Sequence, residues 1–130
     1  MKGETLDLFK AVAAACGHDL KVNEFDDRLT HQRGCYILNS WGFGPFYYFD
    51  MYMRGPYSSN LAEEYYEYDK IAGGAAGVPG EALSRFADVF SKGSGYVEAY
   101  STVLMVRTNS KGAGREDVLK RAMDLKPRLK

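Results

Sequence analysis

Leu6, Phe9, Val12, Ala13 and Cys16 recur three or four positions apart, which puts them on one stripe of a helix, and Gly17 supplies its stop. After the turn "GHDLK", Asn23 reads as an N-cap with Asp26 three positions on, and Val22 is placed to staple onto the next turn. The second helix should turn Phe25, Leu29, Gln32 or Cys35, Tyr36 and Leu38 inward and run to about Asn39. Gly34 sits in its middle, where glycine costs about 1 kcal/mol against alanine. Such a residue is expected where another backbone passes close.

"GFGPF" breaks the helical pattern, and "FYYFDMYM" alternates poorly but is dense in strand formers, so a short strand or ribbon is expected, ended by Gly55-Pro56. Ser58 is then placed as the N-cap of a third helix over about 59–70, with Leu61, Tyr65 and Tyr68 on one stripe and Glu63, Glu64, Glu67 and Asp69 on the rest of its surface. The stretch "MRGPYSSNLAEEYYEY" thus reads as a strand-to-helix corner. Residues 73–80, within which "GGAAGVPG" falls, form a flexible loop by composition. A fourth helix follows, with Leu83, Phe86, Val89 and Phe90 inward and a stop near Lys92-Gly93. "YVEAYSTVLMVRT" has the β-branched content of a strand. Its length and the spacing of Val97, Tyr100, Leu104 and Thr108 favour a buried helix. A last helix should hold Val118, Leu119, Ala122 and Leu125 ahead of Pro127, leaving 126–130 as a basic tail. The expected fold is mainly α: one domain over 1–130 with a five-helix body and a short β element, an α+β arrangement being the alternative.

Charge changes this picture locally rather than globally. The 130 residues carry 17 basic and 17 acidic side chains, so the whole-protein basic field of a nucleic-acid binder is absent. Residues 107–130 are nevertheless basic, and the middle of the chain is acidic through Asp50, Glu63, Glu64, Glu67, Asp69 and Glu81. That asymmetry marks either two surfaces with different partners or two solvated faces. Asp7 and Lys10 interrupt the apolar start, and no run reaches the roughly 18 apolar residues of a membrane span. A cytoplasmic protein with two reduced cysteines and no membrane association is the expectation.

The cysteines and histidines, Cys16, His18, His31 and Cys35, fall as C-x-H-x12-H-x3-C. His31 and Cys35 share a helical face, as paired metal ligands do, but the one-residue gap between the first two is tight for tetrahedral closure. Cys35 as a small core residue and His31 as a half-buried one is the preferred reading, with no metal and no cofactor. Nucleophilic catalysis needs nucleophile, base and orienting group in reach. His31 and Cys35 lie on one helix with no oxyanion hole, and Asp26 and Asp27 diverge, so no catalytic residue is assigned. "GGAAGVPG" lacks the following Lys-Ser/Thr of a phosphate cradle.

The aromatic content is the strongest departure from an ordinary small domain: eleven large rings lie between Trp41 and Tyr68. Most belong in the core, each buried tyrosine needing a partner for its hydroxyl. The surplus is expected on the surface, where tyrosines anchor interfaces, although packing alone is the competing explanation. Tyr47, Tyr52, Arg54, Tyr57, Tyr65 and Tyr66 are the candidate partner-binding residues, for a protein partner or a homodimer.

"DRLTHQRGCYILNSWG", "YYFDMYMRGPYSSNLAEEYYEY", "VEAYSTVLMV" and "REDVLKRAMDLKP" together resemble the YwgA family of small bacterial and archaeal proteins. The resemblance covers about 25–127 and rests on Arg28, Leu29, Gln32, Tyr36, Leu38, Gly55, Pro56, Tyr57, Ser58, Leu61, Glu98, Lys126 and Pro127, with Gly-Pro-Tyr-Ser-x-x-Leu its most specific part. Arg33 stands where the family has Lys, and His31 and Gly34 stand where it usually has apolar residues. The pattern is also similar to the Panacea domain of antitoxins. The resemblance implies a mostly helical, winged-helix-like domain and a regulatory or toxin-neutralising association; with no catalytic residue assigned, a non-enzymatic protein is the expectation. Gln32 and Arg33, beside the corner, are the first candidates for mutation, and Glu98 is expected as a buried acceptor tying helices together.

Duplex DNA is the alternative partner, for a winged-helix transcriptional regulator. The acidic helix after the corner would repel phosphates, which leaves Lys120, Arg121, Lys126 and Arg128, with Arg28 and Arg33, as candidate backbone contacts. A small hydrolase-like enzyme is the third reading.

Overall fold

A computed structural model describes residues 2–52, 55–73 and 79–109, with side chains between 6 and 107. The chain runs α1 (Lys2–Cys16), β1 (Leu20–Lys21), α2 (Phe25–Ser40), β2 (Asp50–Tyr52), β3 (Gly55–Tyr57), α3 (Ser59–Tyr65), β4 (Lys70–Ile71), α4 (Gly80–Ser91) and α5 (Ser94–Asn109). The mainly helical architecture with a small β component matches the expectation, and the segment from 95 to 108 is helix rather than strand. No described helix is long and apolar enough to cross a membrane. The predicted last helix, the basic tail and most of the 73–80 loop lie outside the described residues.

α2 is the central element, packing on α1 along one side and on α5 and β3 along the other, while α4 leans on α1 and α5. The core gathers Leu8, Phe9 and Val12 from α1, Cys35, Ile37 and Leu38 from α2, Leu61 and Tyr65 from α3, Phe86 from α4 and Val97 from α5. Residues 31–38 of α2 are buried without a break, so it is enclosed on all sides rather than amphipathic. Two antiparallel ribbons complete the domain, β1 with β4 and β2 with β3. In the second, Asp50 faces Tyr57, Met51 faces Pro56 and Tyr52 faces Gly55.

Several local expectations are corrected. The N-cap of α2 is Glu24, with no side-chain hydrogen bond, rather than Asn23. The Lys21 N–H instead donates to Asp27 Oδ2 at 2.8 Å, and Arg28 Nη1 donates to the Val22 carbonyl at 2.9 Å, so side chains of the first turn reach back and fasten the entry. Phe25 is exposed, not inward. α3 ends at Tyr65 rather than near residue 70, because Lys70 and Ile71 leave the helical path to pair with Lys21 and Leu20. Gly55-Pro56 does not end the ribbon; it is the second strand. Ser58 caps α3 as expected, its Oγ accepting from the Leu61 N–H at 3.3 Å.

Gly34 answers to a side chain, not to a passing backbone. A Cβ there would lie 2.8 Å from both methyls of Val12 and 3.3 Å from Phe86 Cζ. Its lack of a side chain lets α1 and α4 close onto α2 at one point.

Candidate aromatic docking face

The motif residues converge on the interior. The Gln32 carboxamide meets the Ser58 backbone twice: Oε1 accepts from the Ser58 N–H at 2.8 Å, and Nε2 donates to the Ser58 carbonyl at 3.0 Å. Nε2 also lies 3.3 Å from the Tyr65 hydroxyl. One turn along α2, Arg33 Nη2 donates to Glu98 Oε1 at 2.7 Å, a buried ion pair that ties α2 to α5. Glu98 is thus the acceptor between helices that the sequence suggested. Gly55 adopts φ +116°, open to glycine and strained for other residues, and lies beside Arg33 and Ser101. Pro56 is buried opposite Met51, and Tyr36 meets Phe49 edge-on with centroids 5.1 Å apart. These residues hold the β2–β3 hairpin and the start of α3 onto α2.

Arg33 therefore cannot reach a DNA backbone, and Gln32 is not a surface residue; both serve the interior instead. Lys120, Arg121, Lys126 and Arg128 lie outside the described residues, as does Arg54.

His31 is enclosed, edge-on to Phe9 with centroids 4.8 Å apart and stacked on Tyr65 at 5.5 Å. Neither ring nitrogen has a hydrogen-bond partner among the described residues. Burial holds its pKa down at about 3, so the ring is neutral. Burial also pushes the Cys35 thiol well above the ordinary cysteine range and lifts Cys16 to about 12, the Asp27 carboxylate adding to the latter, so neither is a ready thiolate. His18 is exposed, apart from His31. A cleft of about 160 Å³ lined by Cys16, His18, Thr30, Arg33, Phe90, Ser94 and Val97 does not include His31, Cys35 or Glu98.

The outer surface is where the aromatic surplus appears. From Trp41 to Tyr52 burial alternates residue by residue: Trp41, Phe43, Pro45, Tyr47, Phe49 and Met51 turn inward, and Phe46, Tyr48, Asp50 and Tyr52 turn outward. The alternation is invisible in hydropathy because both faces are aromatic. Asn39, read from the sequence only as the end of α2, holds this segment extended: Nδ2 donates to the carbonyls of Phe43 at 2.8 Å and Pro45 at 3.0 Å, and Oδ1 accepts from the Tyr47 N–H at 3.0 Å. Its signal was an amide at a helix end just before a Gly-Pro turn.

The outward rings are well exposed: Phe46 66%, Tyr48 75%, Tyr52 50% and Tyr66 59%. Of the six predicted partner-binding residues, Tyr52 and Tyr66 are on the surface and Tyr47 and Tyr57 are half-buried. Tyr65 is interior, at 1% exposure, because the end of α3 turns it onto Phe9, His31 and Gln32. Phe46 and Tyr48 belong on the surface set in its place. Tyr52 stacks on Tyr57 with centroids 5.1 Å apart, and Tyr66 meets the interior Tyr65 at 5.1 Å. Arg28 continues the series, its guanidinium 5.9 Å from the Tyr66 ring and 5.8 Å from exposed Phe25. The Tyr48 hydroxyl hydrogen-bonds Asp50, which raises its pKa.

Comparison of the chain with protein-family models, with curated proteins and with solved structures finds no match.

Proposed function

We propose that the protein is a non-enzymatic regulatory or neutralising module that acts by binding another protein through the face carrying Phe46, Tyr48, Tyr52 and Tyr66. The observation that carries this reading is the split of one aromatic segment into two faces, the inner one spent on the core and the outer one left in water. Large exposed rings arranged contiguously are the composition of interface anchors, and an isolated domain gains little from them. The resemblance to the YwgA family and to the antitoxin Panacea domain points the same way. The enclosure of His31 and Cys35 favours binding over nucleophilic chemistry at that pair.

The test is a photoreactive phenylalanine analogue placed at position 48 or 52 in the producing cells, with position 84 on the outer side of α4 as control. A discrete higher-mass adduct to another polypeptide from 48 and 52, not from 84, is the expected result. Adducts at none of 46, 48, 52 and 66 would overturn the reading.

A further inference from the structure

The outward face of the hairpin is not a plain apolar surface. Asp50 stands between Tyr48 and Tyr52 in the same outward row and is hydrogen-bonded to Tyr48. Beyond Tyr57 the chain adds Glu63, Glu64, Glu67 and Asp69, so that residues 48–69 hold five carboxylates against a single basic residue, Arg54. Rings and carboxylates thus alternate on both sides of the corner, Tyr48, Asp50 and Tyr52 with Tyr57 stacked on it in the hairpin, and Glu63, Glu64 and exposed Tyr66 along and just after α3.

The same surface already holds a cation of its own. Arg28 places its guanidinium within 6 Å of two exposed rings, Phe25 and Tyr66, at one end of the series. A planar, weakly hydrated cation is the group that aromatic faces and carboxylates can both engage. Phosphates and acidic peptides would meet repulsion from Asp50 and the α3 carboxylates instead. Lys21 and Lys70 line an open groove together with Tyr66, Tyr68 and Asp69, and they mark where the acidic ground ends.

We propose that this face takes a basic polypeptide segment, a stretch rich in arginine laid along the rings from Tyr48 to Tyr66. The inference rests on the protein-binding reading above and names the chemistry of the partner. Arginines stack on the rings while their charge is met by Asp50 and Glu63, so neither feature alone reproduces the affinity.

The experiment uses the full chain and three fluorescent peptides of one framework, carrying arginine, glutamine or glutamate at the same positions. By fluorescence anisotropy, the arginine peptide is expected to bind about tenfold or more tighter than the glutamine peptide, with the glutamate peptide weakest. Tyr48→Ser with Tyr52→Ser keeps every charge and should lose about tenfold for the arginine peptide, as should Asp50→Asn with Glu63→Gln. Circular dichroism checks that these surface variants melt as the parent does. Equal binding of the arginine and glutamine peptides overturns the inference, and so does loss in the charge variant with none in the tyrosine variant, which is plain electrostatic adsorption. Direct binding of a labelled DNA duplex to the protein that is lost in the Tyr48→Ser/Tyr52→Ser variant overturns it, as does a dimer whose formation blocks the arginine peptide, since the face would then belong to a second copy. Photo-adducts at 48 or 52 without charge preference among the peptides refute the basic partner while the protein-binding reading stands. Absence of adducts refutes the reading itself.

Discussion

Gln32 treats Ser58 as a neighbouring strand would, giving one acceptor and one donor to the N–H and C=O of a single residue. Ser58 is buried at the joint between β3 and α3; its carbonyl also accepts from the Ala62 N–H at 3.1 Å, but its N–H would be orphaned without the amide. Replacing Gln32 with Leu should cost about 1–3 kcal/mol, the desolvation of the unpaired Ser58 N–H. Urea unfolding measures it. A loss below about 1 kcal/mol would mean that water reaches Ser58 in the variant and that the amide is not what holds the corner.

The Arg33–Glu98 pair predicts an asymmetric mutational response. Arg33→Met or Glu98→Leu alone leaves a buried charge without its partner and should cost about 3–5 kcal/mol. The double variant should recover much of that loss, since apolar replacements of both charges are often neutral or better. A double-mutant cycle by chemical denaturation gives the coupling; simple additivity would refute the interdependence.

Gly34 offers a test of close packing. Alanine raises helix propensity by about 1 kcal/mol, yet its Cβ would press on both Val12 methyls and on Phe86. The net effect of Gly34→Ala should be a loss of about 1–3 kcal/mol from overpacking. Adding Val12→Ala should remove the collision, so that the second substitution costs less in the Gly34→Ala background than alone. Thermal melts of the four proteins decide it.

His31 makes stability depend on acid. Its folded pKa, about 3, lies below the ordinary 6.5, so between those values the unfolded chain binds a proton that the folded chain refuses. The contribution of the neutral ring is whole above about pH 6.5 and is lost as pH falls toward 3, at about 1 kcal/mol per pH unit. Relative to the parent, His31→Phe should flatten the stability curve between pH 6 and 4. Parallel curves for the two proteins would contradict the solvent-excluded ring.

Much of the framework was legible in the residues. The stripe of α1, the Ser58 cap and the buried length of α5 follow from spacing and capping chemistry that act locally. What escaped depended on partners far along the chain. α3 stops early because β4 must meet β1, forty-nine residues away at the Lys21–Lys70 pair, and no local signal at Tyr66 announces that. Arg33 read as a surface cation because its counter-charge, Glu98, lies in another helix. The two faces of the 41–52 segment were hidden because period two shows in a sequence only when one face is polar. Tyr65 and Tyr66 are chemically alike, and which of them was interior rested on where the helix ended.

The outward row on the hairpin also carries a hazard for the cell that makes it. A short extended segment with rings on both sides is poised to join others of its kind, and in the row from Phe46 to Tyr52 a single carboxylate, Asp50, stands against that tendency. Neutralising this one side chain would leave the fold and its behaviour in dilute solution untouched and lower only the concentration at which the protein clouds as it accumulates in the cell.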